Sequence, residues 1–229
     1  IFYIFLIILE TNKKIDKMRK LILLCFLLFF TCSKDDSTMD PLCCVNESIT
    51  YVPSESLKDL ANFPVGNIVS ANKILTNNQF KTVLLNDFNS TTAENDMKMA
   101  NIFIGPNSYD FSDGDVIVDF AKQNGVRVFG HALIWHSSIP NWLQNYSGTD
   151  DEFEQLIENY IKSTVSHFSQ QKMLIDGEEV SVVAAWDVVN EAFTSQAESS
   201  IFRQRIGEDY LEKCFIWARE ADQHVKLFY

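Results

Sequence analysis

Glu191 closes the run Trp186-Asp187-Val188-Val189-Asn190-Glu191, in which a carboxyl group follows an apolar segment and stands beside an amide. Burial against an apolar wall raises the pKa of a carboxylic acid and suits it to donate a proton near neutral pH. An Asn-Glu pair after a strand can equally be a plain helix start, so the company it keeps matters. Polar side chains gather at three points along the chain: Glu94, Asn95 and Lys98; His131, Trp135 and His136; and Asn190 with Glu191. In a continuous strand, His131 and Trp135 lie on one face, offering an imidazole to a hydroxyl and a flat indole to a sugar ring. His131 and His136 then point to opposite faces, which disfavours a two-histidine metal site. Each group also has a structural reading: a satisfied strand histidine, core positions for Trp186 and Trp217, and an i, i+4 Glu94–Lys98 pair on a solvated helix start.

The elements that would hold these residues alternate. Short apolar runs predict strands at 64–69, 87–91, 126–135 and 182–189, with another beginning at Lys226. Between them lie helical segments. Ser112 with Asp115 predicts a capped start and Asn124-Gly125 a stop, enclosing Val116, Ile117, Phe120 and Ala121. Thr149 with Glu152 predicts a second capping box before Phe153, Leu156, Ile157, Tyr160, Ile161, Val165 and Phe168. Tyr210, Leu211, Cys214, Phe215, Ala218 and Ala221 mark a further helix. Strands alternating with helices imply a parallel α/β sheet. The polar groups fall just past predicted strand ends, where a (β/α)8 barrel builds its site. About four and a half βα units are visible, whereas a closed barrel takes about 250 residues. A doubly wound sheet alternates in the same way, but no Gly-rich phosphate turn follows the first strand.

The chain has 229 residues and a formal net charge of -12, with a sequence pI near 4.7. An acidic surface repels phosphate backbones, so nucleic acid is not expected as a partner. Five cysteines, at 25, 32, 43, 44 and 214, lack metal-site or disulfide-framework spacing. The opening 1–17 reads as an upstream extension before a true start at Met18. Residues 18–31 have the layout of a secretory signal, with Arg19 and Lys20 before an apolar run too short to span a bilayer. Cys32 directly after that run resembles the lipidation site of a bacterial lipoprotein signal, so the expected location is secreted or cell-envelope, anchored at Cys32. An ordinary cleaved signal and a membrane anchor that includes Ile1–Leu9 are the alternatives. Residues 32–56 read as a flexible tether and 57–229 as a partial barrel domain.

Three strings carry a resemblance: Thr92-Ala93-Glu94-Asn95-Asp96-Met97-Lys98, Gly130-His131-Ala132-Leu133-Ile134-Trp135-His136-Ser137, and Trp186-Asp187-Val188-Val189-Asn190-Glu191-Ala192-Phe193. In that order and spacing they closely resemble glycoside hydrolase family 10, whose members are mostly endo-β-1,4-xylanases. Tyr109-Asp110-Phe111 and Ile206-Gly207-Glu208-Asp209-Tyr210 extend the similarity, which runs from about Leu57 to Tyr229. The resemblance implies a (β/α)8 barrel that hydrolyses internal β-1,4 bonds of xylan with retention of configuration, and it implies no metal or organic cofactor. Glu191 looks like the general acid/base, and Asn190 like the partner of the 2-hydroxyl of the sugar being cleaved. Glu94, Asn95 and Lys98 resemble residues holding sugars on the non-reducing side; His131 and Trp135 resemble those lining the central subsite, with His136 close by.

Two departures from the pattern follow. Ser138 stands where the family usually has glutamine, which removes reach toward a sugar hydroxyl. The nucleophilic glutamate belongs on a strand beyond Tyr229, so the sequence is expected to be a fragment, and residues 57–229 alone are expected to show negligible activity. Xylan and xylo-oligosaccharides are the expected partners, with any membrane contact made through the lipid anchor. The competing class is a non-catalytic glycan-binding protein derived from such a barrel.

Overall fold

The computed structural model describes residues 55–229. The readings for 1–17, 18–31 and Cys32, and for the tether apart from Glu55 and Ser56, lie outside the described residues. The described chain opens with α1 (Leu57–Leu60), β1 (Gly66–Val69), α2 (Ala71–Thr76), α3 (Asn78–Asp87) and β2 (Ser90–Ala93). Next come α4 (Met99–Ile102), a hairpin of β3 (Phe103–Gly105) and β4 (Ser108–Tyr109), α5 (Ser112–Asn124), β5 (Arg127–Gly130) and β6 (Ile134–Trp135). Then follow α6 (Asn141–Gln144), α7 (Asp150–Ser169), a hairpin of β7 (Lys172–Ile175) and β8 (Glu178–Ser181), β9 (Val183–Asp187) and β10 (Val189–Asn190). Helices α8 (Ser195–Glu198), α9 (Ile201–Ile206) and α10 (Tyr210–Ala221) lead to β11 (Lys226–Phe228).

The main sheet has the order β1-β2-β5-β9-β11, all pairs parallel. Spatial order equals chain order, so the sheet winds in one direction as a barrel wall does. A doubly wound sheet would reverse at a switch point. The register separates its two faces. Val69, Thr91, Ala93, Val128, Gly130 and Trp186 turn toward the helices and are buried, whereas Ile68 and Phe228 on the other face are 55% and 47% exposed. This is a partial (β/α)8 barrel.

Local chemistry sets the helix ends. Thr149 and Glu152 form the reciprocal capping box of α7, whose buried stripe of Phe153, Leu156, Ile157, Tyr160, Ile161, Val165 and Phe168 follows the expected period. Gly125 ends α5 in the left-handed region at φ 64°. The start of α5 differs from expectation: Asp110 Oδ1, not a Ser112–Asp115 box, accepts from the Ser112 amide and hydroxyl. In α10, Cys214 is fully buried beside Trp217 and Ala218, and burial pushes its thiol pKa up.

Three strand expectations are corrected. The second strand is Ser90–Ala93, because α3 continues to Asp87 and Phe88 N–H closes its last turn on the Leu84 carbonyl. The 126–135 run is two strands; after Gly130 the amides of Leu133 and Ile134 donate to the carbonyls of Asp187 and Val188. The 182–189 run likewise divides into β9 and β10. The β3–β4 and β7–β8 hairpins were not anticipated, although Asp176-Gly177, at φ 52° and 85°, is a hairpin turn signal.

Gly130 and Trp186 share one space. A Cβ at Gly130 would lie 2.3 Å from Trp186 Cε3, and the indole is fully buried against Phe168. Gly130→Ala is therefore expected to destabilise the chain by about 1–3 kcal/mol through overpacking. The check is a lower urea midpoint at unchanged m-value.

Candidate active site

Sheet register brings the first pair together. Phe129 pairs with Ala185, so two residues further along the same face His131 meets Asp187. His131 Nδ1 lies 2.9 Å from Asp187 Oδ2, and both side chains are largely shielded. A hydrogen on Nδ1 satisfies that carboxylate and leaves Nε2 as an acceptor. Asp187 Oδ1 is buried and unpartnered among the described residues.

The second junction is the parallel ladder of β6 and β10, in which Ile134 pairs with Val189 and Trp135 with Asn190. Glu191 follows at φ 57°, a left-handed conformation that costs a non-glycine residue about 1–3 kcal/mol. Its carbonyl is held by the amide and hydroxyl of Thr194. From there the side chain returns over the rim: Trp135 Nε1 donates to Glu191 Oε2 at 2.8 Å, and His136 Nε2 lies 3.5 Å from the same oxygen. The burial expected of Glu191 is not observed. Its side chain is 46% exposed, because the left-handed turn lifts it out of the apolar strand.

Lys98 joins from the loop after β2. Its Nζ sits 4.9 Å above the Trp135 ring and 3.0 Å from Asn95 Oδ1. Glu94, at the end of β2, faces Lys73 at 3.9 Å instead of forming an i, i+4 pair with Lys98. The rings of His131 and His136 lie 6.1 and 6.3 Å from Trp135, one on each neighbouring contact. The strand parity expected to separate the histidines does not apply, because no continuous strand joins them: His131 follows β5 and His136 follows β6. Ser138 is nearly buried, and its amide donates to the Trp135 carbonyl.

The contacts thus link Asn95, Lys98, Trp135, His136 and Glu191, pair His131 with Asp187, and set Asn190 beside Trp135; Glu94 stands apart with Lys73. Asp187 is the site residue that the sequence reading passed over. An acidic side chain inside an otherwise apolar strand was the available signal, since such a group needs a partner when shielded. The assembly offers a carboxyl with an accessible oxygen, an oriented imidazole, a cation and a flat ring, which together suit acid–base chemistry on a hydroxyl-rich ligand.

Comparison with known proteins agrees with this geometry. The model for glycosyl hydrolase family 10 matches residues 55–229. The chain is 39% identical over 180 residues to a β-1,4-xylanase of Dictyoglomus thermophilum, covering 76% of this chain and 47% of that protein. It is 33% identical over 182 residues to endo-1,4-β-xylanase B of Thermotoga neapolitana, covering 78% and 49%. Native xylanase10C from Cellvibrio japonicus is structurally similar, with a TM-score of 0.67 and 32% identity over 77% of this chain and 38% of that one. The chain spans about half the length of the two curated relatives described.

Removing the Asp187 carboxylate orphans His131 Nδ1–H. Asp187→Ala is expected to lower stability by about 1–3 kcal/mol and to redistribute the ring hydrogen, whereas Asp187→Asn keeps an acceptor and loses less. Nitrogen-15 NMR of His131 checks this: the hydrogen should reside on Nδ1 in the parent chain and not in Asp187→Ala.

Proposed function

The chain belongs to glycosyl hydrolase family 10, and from that premise we propose that the complete protein is an endo-β-1,4-xylanase acting with retention of configuration. Glu191 serves as general acid/base. It protonates the bridging oxygen as the bond to the anomeric carbon breaks, and later takes a proton from the incoming water. A second glutamate, which the family pattern locates after Tyr229, attacks the anomeric carbon. Asn190 holds the 2-hydroxyl, a contact that strengthens in the transition state. Glu94, Asn95 and Lys98 bind the non-reducing-side sugars, while His131, Trp135 and His136 line the central subsite. Ser138 weakens affinity relative to glutamine without removing the chemistry.

The observation that carries this reading is the Trp135–Glu191 contact at a strand-end rim. It fixes a half-exposed carboxyl against an indole N–H, with the His136 imidazole 3.5 Å from the same oxygen, an arrangement suited to protonating a glycosidic oxygen. Relatives named as xylanases support the substrate class. A polymeric substrate also fits an exported protein, with 18–31 as its signal and Cys32 as its lipid anchor.

Glu191→Ala in the complete protein tests the acid role. Xylan cleavage is expected to fall about 10²–10⁴-fold. The first step on an aryl xyloside with a very acidic leaving group should fall far less, since that group departs without a proton. Equal losses on both substrates would remove Glu191 from the role.

A further inference from the structure

A carboxyl group has two oxygens, and a proton donor must present one of them. Both nitrogens that approach Glu191 approach Oε2: Trp135 Nε1 at 2.8 Å and His136 Nε2 at 3.5 Å. No hydrogen bond to Oε1 is formed among the described residues. An oxygen that accepts N–H donors is a poor place for a proton, so the protonated form carries its hydrogen on the other oxygen.

The identity of the donors matters. An indole nitrogen donates only, so it cannot take the carboxyl's proton and holds Oε2 in both charge states. Lys98 over the ring keeps the indole in place and adds positive charge to its face. His136 Nδ1 is buried and unpartnered among the described residues. A hydrogen there would be a buried donor without an acceptor, which favours the tautomer with its hydrogen on Nε2, facing Glu191.

We propose that Trp135 and His136 are positioning residues that make the oxygens of Glu191 inequivalent, holding Oε2 and leaving Oε1 to deliver and recover the catalytic proton. This rests on the reading of Glu191 as general acid/base. In the first step the Oε1–H bond breaks and its proton moves to the bridging oxygen, which keeps the electron pair of the cleaved carbon–oxygen bond. In the second, Oε1 takes a proton from water as the water oxygen bonds to the anomeric carbon and the nucleophilic carboxylate departs.

The test uses the complete protein, with kcat and KM measured on a xylo-oligosaccharide and on 2,4-dinitrophenyl β-xylobioside. Trp135→Phe keeps a ring and removes the N–H. Its loss of kcat/KM, which reports the first step, should on the oligosaccharide exceed its loss on the dinitrophenyl substrate by at least about tenfold, because only the oligosaccharide needs a proton on departure, whereas kcat also contains the second step that both substrates share. His136→Gln, which retains a side-chain N–H, should outperform His136→Leu on the oligosaccharide alone; this pair carries the test if Trp135→Phe does not fold. Equal losses of kcat/KM on both substrates, or a rise in KM on the oligosaccharide without a fall in kcat, would overturn the proposal and leave Trp135 as a sugar contact. Glu191→Ala measured alongside separates the two levels. If its kcat/KM falls equally on both substrates, the acid/base reading fails. If it spares the dinitrophenyl substrate and Trp135→Phe does not, the positioning proposal alone fails.

Discussion

The parallel ladder between β6 and β10 sets Trp135 opposite Asn190, and Glu191 follows at the next residue in a left-handed backbone conformation. Two short strands outside the main sheet therefore decide where the carboxyl stands. The ladder aligns the donor with the residue before Glu191, and the turn directs the side chain back across the rim to meet the indole. The main sheet supplies the foundation. Gly130 leaves room for the buried Trp186, and the β5–β9 register carries His131 to Asp187. Losing either junction would separate groups that lie 56 residues apart in the chain.

Much of this was legible where local chemistry acts alone. The Thr149–Glu152 box and the apolar stripe after it specify α7 without help from the rest of the molecule, and Gly125 specifies the end of α5. Prediction failed where partners distant in sequence intervene. The apolar run 126–135 resembles one strand, but its ladder breaks after Gly130 and resumes with Leu133 and Ile134 on the carbonyls of Asp187 and Val188, ahead of the β6–β10 pairing. Polar Ser90–Ala93 gives little strand signal and is a strand because parallel neighbours flank it on both sides.

The same distinction applies to the site. Residue types and their order pointed to His131, Trp135, His136, Asn190 and Glu191, which the fold does bring to one rim. For Glu191 the apolar preceding strand suggests burial, whereas a single positive φ turns the side chain outward. Its surroundings are set less by a dry wall than by the hydrogen bond from Trp135 Nε1, with His136 Nε2 at 3.5 Å from the same oxygen. Asp187 was passed over because its role exists only through pairing with β5, which no local pattern reveals.

In this account the half-exposed carboxyl of Glu191, steadied by one indole N–H, presents a proton to the oxygen between two sugars. The most direct measurement is a crystal structure of the complete protein with an intact xylo-oligosaccharide spanning the cleavage point. A Glu191 oxygen within about 2.6–3.2 Å of the bridging oxygen is predicted. An oligosaccharide bound with that oxygen out of reach of Glu191, and another acidic group beside it, would contradict the account.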